Sequence, residues 1–167
     1  DDAGTPRALI VNTSGNSDFG NGGADYLGSL AILKSVTTNS TGLTRFFITP
    51  SVVATPSVTT QNEQSYGDGV ILRADTVLTS TTAAGNVTFN GVVETSSGVA
   101  AGEGDLTLNV AGTTGTTFLG NVGGGTNGGT TGLGSDAATG AAITVLNGDV
   151  TFGTNVTSVR IRGDLRI

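Results

Sequence analysis

Short strand-like runs, several of them alternating apolar and polar residues, recur along the chain between turn-forming residues. They include Val70-Ile71-Leu72, Thr76-Val77-Leu78-Thr79, Asn86-Val87-Thr88-Phe89, Val92-Val93-Glu94, Asp105-Leu106-Thr107-Leu108-Asn109-Val110 and Thr116-Thr117-Phe118. A strand places successive side chains on opposite faces, so such a run buries one face and wets the other. Strands this short, closed by glycine, asparagine or aspartate, predict the coils of a β-solenoid. The expected fold is all-β: a single elongated right-handed parallel β-helix over residues 1–167, almost without α-helix. A β-sandwich is the second architecture that several short, regularly spaced strands allow. Stacked coils would point Ile10, Leu30, Ile32, Phe46, Val70, Leu72, Val77, Val87, Phe89, Leu106, Leu108, Phe118, Ile143, Val145, Val150 and Phe152 inward. At roughly 20 to 25 residues per coil and about 4.8 Å per rung, about seven coils would make a rod roughly 35 Å long.

A longer repeat lies under the short one. Ser17–Gly23 is similar to Thr116–Gly124, and Thr41–Thr44 to Thr139–Thr144, at an offset of roughly 100 residues. Tyr66–Asp75 matches Phe152–Asp164 more loosely. The chain therefore reads as one solenoid segment holding about one and two-thirds copies of a module of roughly 100 residues. Two irregular stretches, Pro50–Gln64 and Asn121–Ala142, interrupt the rhythm.

Composition sharpens this picture. Glycine occurs 28 times and threonine is commoner still, a bias toward strands and tight corners. Only 12% of residues are charged while 36% are hydrophobic, which is the profile of a folded chain. The net charge is −6, and the seven Lys and Arg residues form no basic stripe, so neither nucleic acid nor an anionic membrane is expected as partner. There is no Cys and no His, which removes disulfides and the commonest acid–base group. The longest apolar run, Leu27–Leu33, is interrupted by Gly28 and Ser29, so no membrane insertion is expected. The opening Asp1-Asp2 and the strand-like Val159–Arg162 near the other end read as those of a processed or excised piece.

The run Ser57–Ser80 contains Gln64-Ser65-Tyr66, then the apolar Val70-Ile71-Leu72, then Ala74-Asp75-Thr76-Val77-Leu78-Thr79. It resembles the recurring unit of filamentous-haemagglutinin-like, β-strand-repeat large secreted surface proteins of bacteria. Gly85–Val93, Leu106–Gly112 and Thr116–Gly124 continue the likeness in the same order. It departs at Leu43–Pro56, where Arg45-Phe46-Phe47-Ile48-Thr49-Pro50 stands in place of small-residue filler. The resemblance implies a right-handed parallel β-helix stalk with a role in adhesion, biofilm or envelope structure, and it carries no catalytic residues.

Four features could carry chemistry, and each has a plainer reading. Gly20–Leu27 has the spacing of a calcium-binding nonapeptide, but such ions need stacked copies and no second copy follows; a glycine turn is the simpler reading. Arg162-Gly163-Asp164 spells an integrin-type tripeptide, while aligning with Arg73-Ala74-Asp75 as an ordinary corner. Glu103 and Asp105, with Asp75 or Asp149 across coils, could form a glycosidase-like acid pair, yet one Lys and no His leave little to build a lyase-type base. Thr79, Thr88, Thr107 and Thr117 could align into an outward ladder, as in ice-binding solenoids, or simply be solvated strand positions. The expectation is no catalytic, cofactor-binding or metal-binding residue, and no enzyme. The expected function is a non-catalytic stalk segment of a large secreted or cell-surface adhesin-like protein. Its partners would be neighbouring repeat modules or identical subunits end to end. The alternatives are a self-assembling extracellular filament or envelope subunit, and a carbohydrate-binding adhesion module that docks a cell-surface glycan.

Overall fold

A computed structural model describes residues 4–23, 26–28, 31–49, 55–99, 104–125, 132–134 and 141–167. Its strands are β1 (Ala8–Val11), β2 (Ser17–Phe19), β3 (Ser35–Thr38), β4 (Leu43–Phe46), β5 (Val58–Thr60), β6 (Gln64–Tyr66), β7 (Gly69–Leu72) and β8 (Thr76–Ser80). They continue with β9 (Asn86–Phe89), β10 (Val93–Thr95), β11 (Leu106–Val110), β12 (Gly115–Phe118), β13 (Ala141–Asn147), β14 (Val150–Phe152) and β15 (Asp164–Arg166). No helix occurs among the described residues.

All pairings between these strands are parallel, and they form three walls. The first wall runs β1-β3-β6-β9-β12-β14, the second β2-β4-β7-β10, and the third β5-β8-β11-β13-β15. Single bridges lengthen the shorter walls: Val93 to Val122 to Val159 on the second, and Leu27 to Val58 on the third. The chain is thus a β-solenoid, and the six strands of its first wall span roughly 24 Å at the usual strand spacing. The expected seven coils become six rungs because the coils are longer and less even than expected. Val58 faces Leu78, a step of 20 residues, whereas Leu106 faces Ile143, a step of 37.

The core is organised around one file of aromatic rings. Phe19, Phe46, Tyr66, Phe89, Phe118 and Phe152 follow one another at centroid distances of 5.0 to 5.4 Å. Phe19 and Phe46 stand on the second wall, and the other four on the first. Tyr66 has Thr38 beneath it on its own wall, so its ring reaches across the corner to Phe46. That junction is edge-on at 88°, while the other four pairs lie within 30° of parallel. Val36, Val58, Leu72, Leu78, Leu106 and Leu108 fill the space around the file.

Most expected inward positions are buried in this cluster, and Ile10, Ile32 and Val77 depart from it by strand parity. A slip of one residue moves a side chain to the opposite face. Ile10 is 72% exposed, because Leu9 and Val11 take the inward places on β1. Ile32 is 39% exposed, and Leu33 packs in its stead. Val77 is buried, but on the outer side of β8, with Leu78 inside. Phe152 stacks on Phe118 yet remains 38% exposed, since it stands on the last strand of its wall. Leu30 lies outside the described residues.

Gln64 and Tyr66 partner each other inside the stack. In Gln64-Ser65-Tyr66 the first and third side chains share the inner face. Tyr66 donates its hydroxyl proton to Gln64 Oε1 at 2.9 Å, and Gln64 Nε2 donates to Thr79 O at 2.9 Å and Thr60 Oγ1 at 3.2 Å. Gln64→Leu would leave the phenol buried without an acceptor, so a loss of about 1–3 kcal/mol is expected in urea unfolding. Adding Tyr66→Phe should recover part of it, and strictly additive effects of the two changes would refute this pairing.

The same burial pushes the Tyr66 phenol well above its ordinary value of 10.0. Since the folded pKa is the raised one, its contribution is complete below about pH 10 and is lost as pH climbs beyond it. Stability should fall there by up to about 1.4 kcal/mol per pH unit. Denaturant melts between pH 9 and pH 11 check this, with Tyr66→Phe expected to flatten the decline.

Candidate interaction surfaces

The outer face of the first wall carries one file of hydroxyls. Register places Ile10, Thr37, Ser65, Thr88, Thr117 and Thr151 in line along the solenoid. Thr37, Ser65, Thr88 and Thr117 are half-buried and Thr151 is exposed. None of their hydroxyls is engaged by the protein among the described residues. The expected ladder of Thr79, Thr88, Thr107 and Thr117 is not one ladder. Thr88 and Thr117 do share this file, but Thr79 and Thr107 lie on the third wall, in two different files: Thr107 pairs with Val77 and Thr79 with Asn109. Thr37, Ser65 and Thr151 were not foreseen. No fixed period reveals them, because the steps between rungs are uneven.

The second wall is charged at one end of its outer file and buried at the other. Asp18, Arg45, Ile71 and Glu94 align across β2, β4, β7 and β10. Arg45 donates from Nε to Asp18 Oδ1 and from its terminal nitrogen to Asp18 Oδ2, the latter at 2.6 Å. This pairing holds the guanidinium pKa above its ordinary value. Ile71 and Glu94 are buried, so the wall is covered there. Phe47, directly after β4, has the Arg73 guanidinium 4.8 Å from its ring centroid and the Gly22 turn packed against the ring. With both contacts in place it is a poor stacking platform for a sugar.

The expected acid pair is not assembled among the described residues. Asp75 Oδ1 accepts from the backbone N of Asp105 at 3.1 Å, which ties two successive rungs where they enter the third wall. Asp149 stands apart, just before β14 on the first wall, where its carbonyl accepts from Thr116 N. Glu103 lies outside the described residues. Asp164 of the Arg162-Gly163-Asp164 sequence begins β15 on that same third wall, with Arg166 3.6 Å from its carboxylate.

Within the glycine-rich Gly20–Leu27 segment, residues 20–23 turn and dock on the next rung. Gly20 and Gly22 have φ of 85° and 95°, a conformation that glycine adopts without strain. Asn21 Oδ1 accepts from Gly23 N, Gly22 N donates to Phe47 O, and Thr49 Oγ1 donates to Gly22 O. Ala24 and Asp25 lie outside the described residues. Among the described residues, no three acidic side chains converge as a metal site would require. No protein-family model, curated protein or solved structure matches this chain.

Proposed function

We propose that the chain is a structural stalk segment of a large secreted or cell-surface bacterial protein of the filamentous-haemagglutinin-like kind, and that it performs no catalysis. One observation carries this reading: walls and ring file run unbroken from the first rung to the sixth. In such a quasi-one-dimensional stack each rung shields its neighbours, and the number of rungs sets the reach. A solenoid of this kind spaces an adhesive or assembly region away from its anchor. A second reading, a carbohydrate-binding adhesion module, draws on the hydroxyl file of the first wall. A third, a self-assembling filament, draws on the outermost strands β1 and β15, whose Ile10 and Leu165 are exposed.

Sedimentation velocity and electron microscopy of the purified chain, with a glycan array and a polysaccharide turnover screen, separate these readings. An inert, elongated monomer is expected. End-to-end fibres would replace the stalk with the filament, and selective glycan retention would replace it with the adhesion module. Turnover of any polysaccharide would end the non-catalytic reading.

A further inference from the structure

Between β6 and β7, where the first wall turns into the second, the chain buries a carboxylate that pairs with no cationic side chain among the described residues. Asp68 is 4% exposed. Its Oδ1 accepts hydrogen bonds from Thr44 Oγ1 at 2.7 Å and Thr38 Oγ1 at 3.3 Å. The two threonine oxygens lie 3.1 Å apart, and Gly67 N donates to Thr38 Oγ1 at 3.2 Å. Asp68 Oδ2 is buried and has no partner, and the same holds for Ser17 Oγ, which stands in register with Thr44 one rung below. Asp18 with Arg45 and Asp164 with Arg166 form ion pairs elsewhere in the fold.

We propose that this corner is a binding site for a small monovalent cation of the sodium type. A carboxylate withdrawn from water without a counter-charge is costly, and one oxygen with no donor adds to that cost. The side chains that meet its carboxylate, Thr44 and Thr38, do so through oxygens, the donors that hard cations take. A hydroxyl that gives its proton to Asp68 Oδ1 keeps lone pairs for a metal, so Thr44 and Thr38 can do both. Charge decides the valence. Asp68 supplies one negative charge and the hydroxyls none, so a monovalent ion leaves the corner neutral. A divalent ion would leave a net positive charge buried, and calcium ordinarily gathers six to eight oxygens with several carboxylates among them. Asp68, Thr44 with Thr38, and Ser17 come from three successive rungs. The ion would clamp those rungs at the place where the ring file changes walls.

The test is thermal unfolding of the intact chain at constant ionic strength, with sodium chloride exchanged stepwise for tetramethylammonium chloride, whose cation is too large to enter. The melting temperature is expected to rise saturably with sodium, with matching broadening of the sodium-23 resonance. Asp68→Asn should abolish the response, and Ser17→Ala should shift its midpoint about tenfold toward higher sodium. Equal melting in both salts would overturn the proposal. A sodium response that survives Asp68→Asn would overturn it too, as would a response to calcium without one to sodium. If Asp68→Asn fails to fold, Ser17→Ala decides, and an unchanged midpoint in that variant refutes the site.

Discussion

Phe89→Ala is expected to lower the unfolding free energy by about 3–5 kcal/mol, read from the midpoint of urea unfolding. Phe89 is fully buried, and its ring is stacked between Tyr66 at 5.4 Å and Phe118 at 5.0 Å. Truncation leaves a ring-sized cavity that neighbours cannot fill, because each adjacent ring is fixed to a strand paired on both sides. Two aromatic contacts are lost with the buried area, each about 0.5–1.5 kcal/mol beyond it. Position in the stack adds a second signature. Rungs are stabilised chiefly by their neighbours, so damage at the fourth rung should uncouple those below from those above and lower the denaturant slope. Phe152→Ala, at the open end of the file, should cost clearly less. A loss below about 1 kcal/mol for Phe89→Ala would contradict a close-packed file.

Gly112→Ala should be nearly as damaging, for the opposite reason. Gly112 and Gly85 belong to turns on successive rungs, closed by bonds from Gly115 N to Gly112 O and from Gly85 N to Thr82 O. A Cβ on Gly112 would collide with the carbonyl oxygen of Gly85. That carbonyl belongs to a backbone held in the stack, so relief requires the two rungs to part at this corner. A cost of about 3 kcal/mol is expected, at the upper end for overpacking. Gly15→Ala is the control, because its Cβ would meet only Thr13 Oγ1 at 3.9 Å. Amide exchange should locate the damage, with protection falling in β11 and β12 and persisting in β3 and β4. A Gly112→Ala protein as stable as Gly15→Ala would show that these rungs are not in backbone contact.

What the sequence made legible was the strand and its inner face; what it hid was the relation between rungs. Asn86-Val87-Thr88-Phe89 and Thr116-Thr117-Phe118 announce strands, and Phe89 and Phe118 are inside. Alternation fails where both faces are apolar. Ala8–Val11 offers Leu9, Ile10 and Val11 in a row, and only stacking on Val36 selects Leu9. Thr76–Ser80 is buried on both sides, so Val77 and Leu78 look equally eligible. Surfaces were harder. Whether Thr107 lines up with Thr79 or Val77 depends on corner lengths that vary from coil to coil, and local patterning does not report them. Asp68 carried no signal at all, because a corner aspartate is ordinarily a solvated turn residue. Its burial follows from the hydroxyls of Thr38 and Thr44 on the rung below.

The direction of the hydrogen bonds gives the solenoid a mechanical character. In each wall they run along the stack axis, while the covalent chain runs across it. Tension applied between the first and last rungs therefore bears on one layer of bonds at a time, the geometry of peeling a zipper rather than shearing a lap joint. Steps of 20 to 37 residues between facing positions would release roughly 7 to 13 nm of contour each. Optical-tweezer traces should show a low-force staircase with steps of that uneven size, and a single high-force rupture would contradict it. A solenoid of this build lengthens under load well before it breaks.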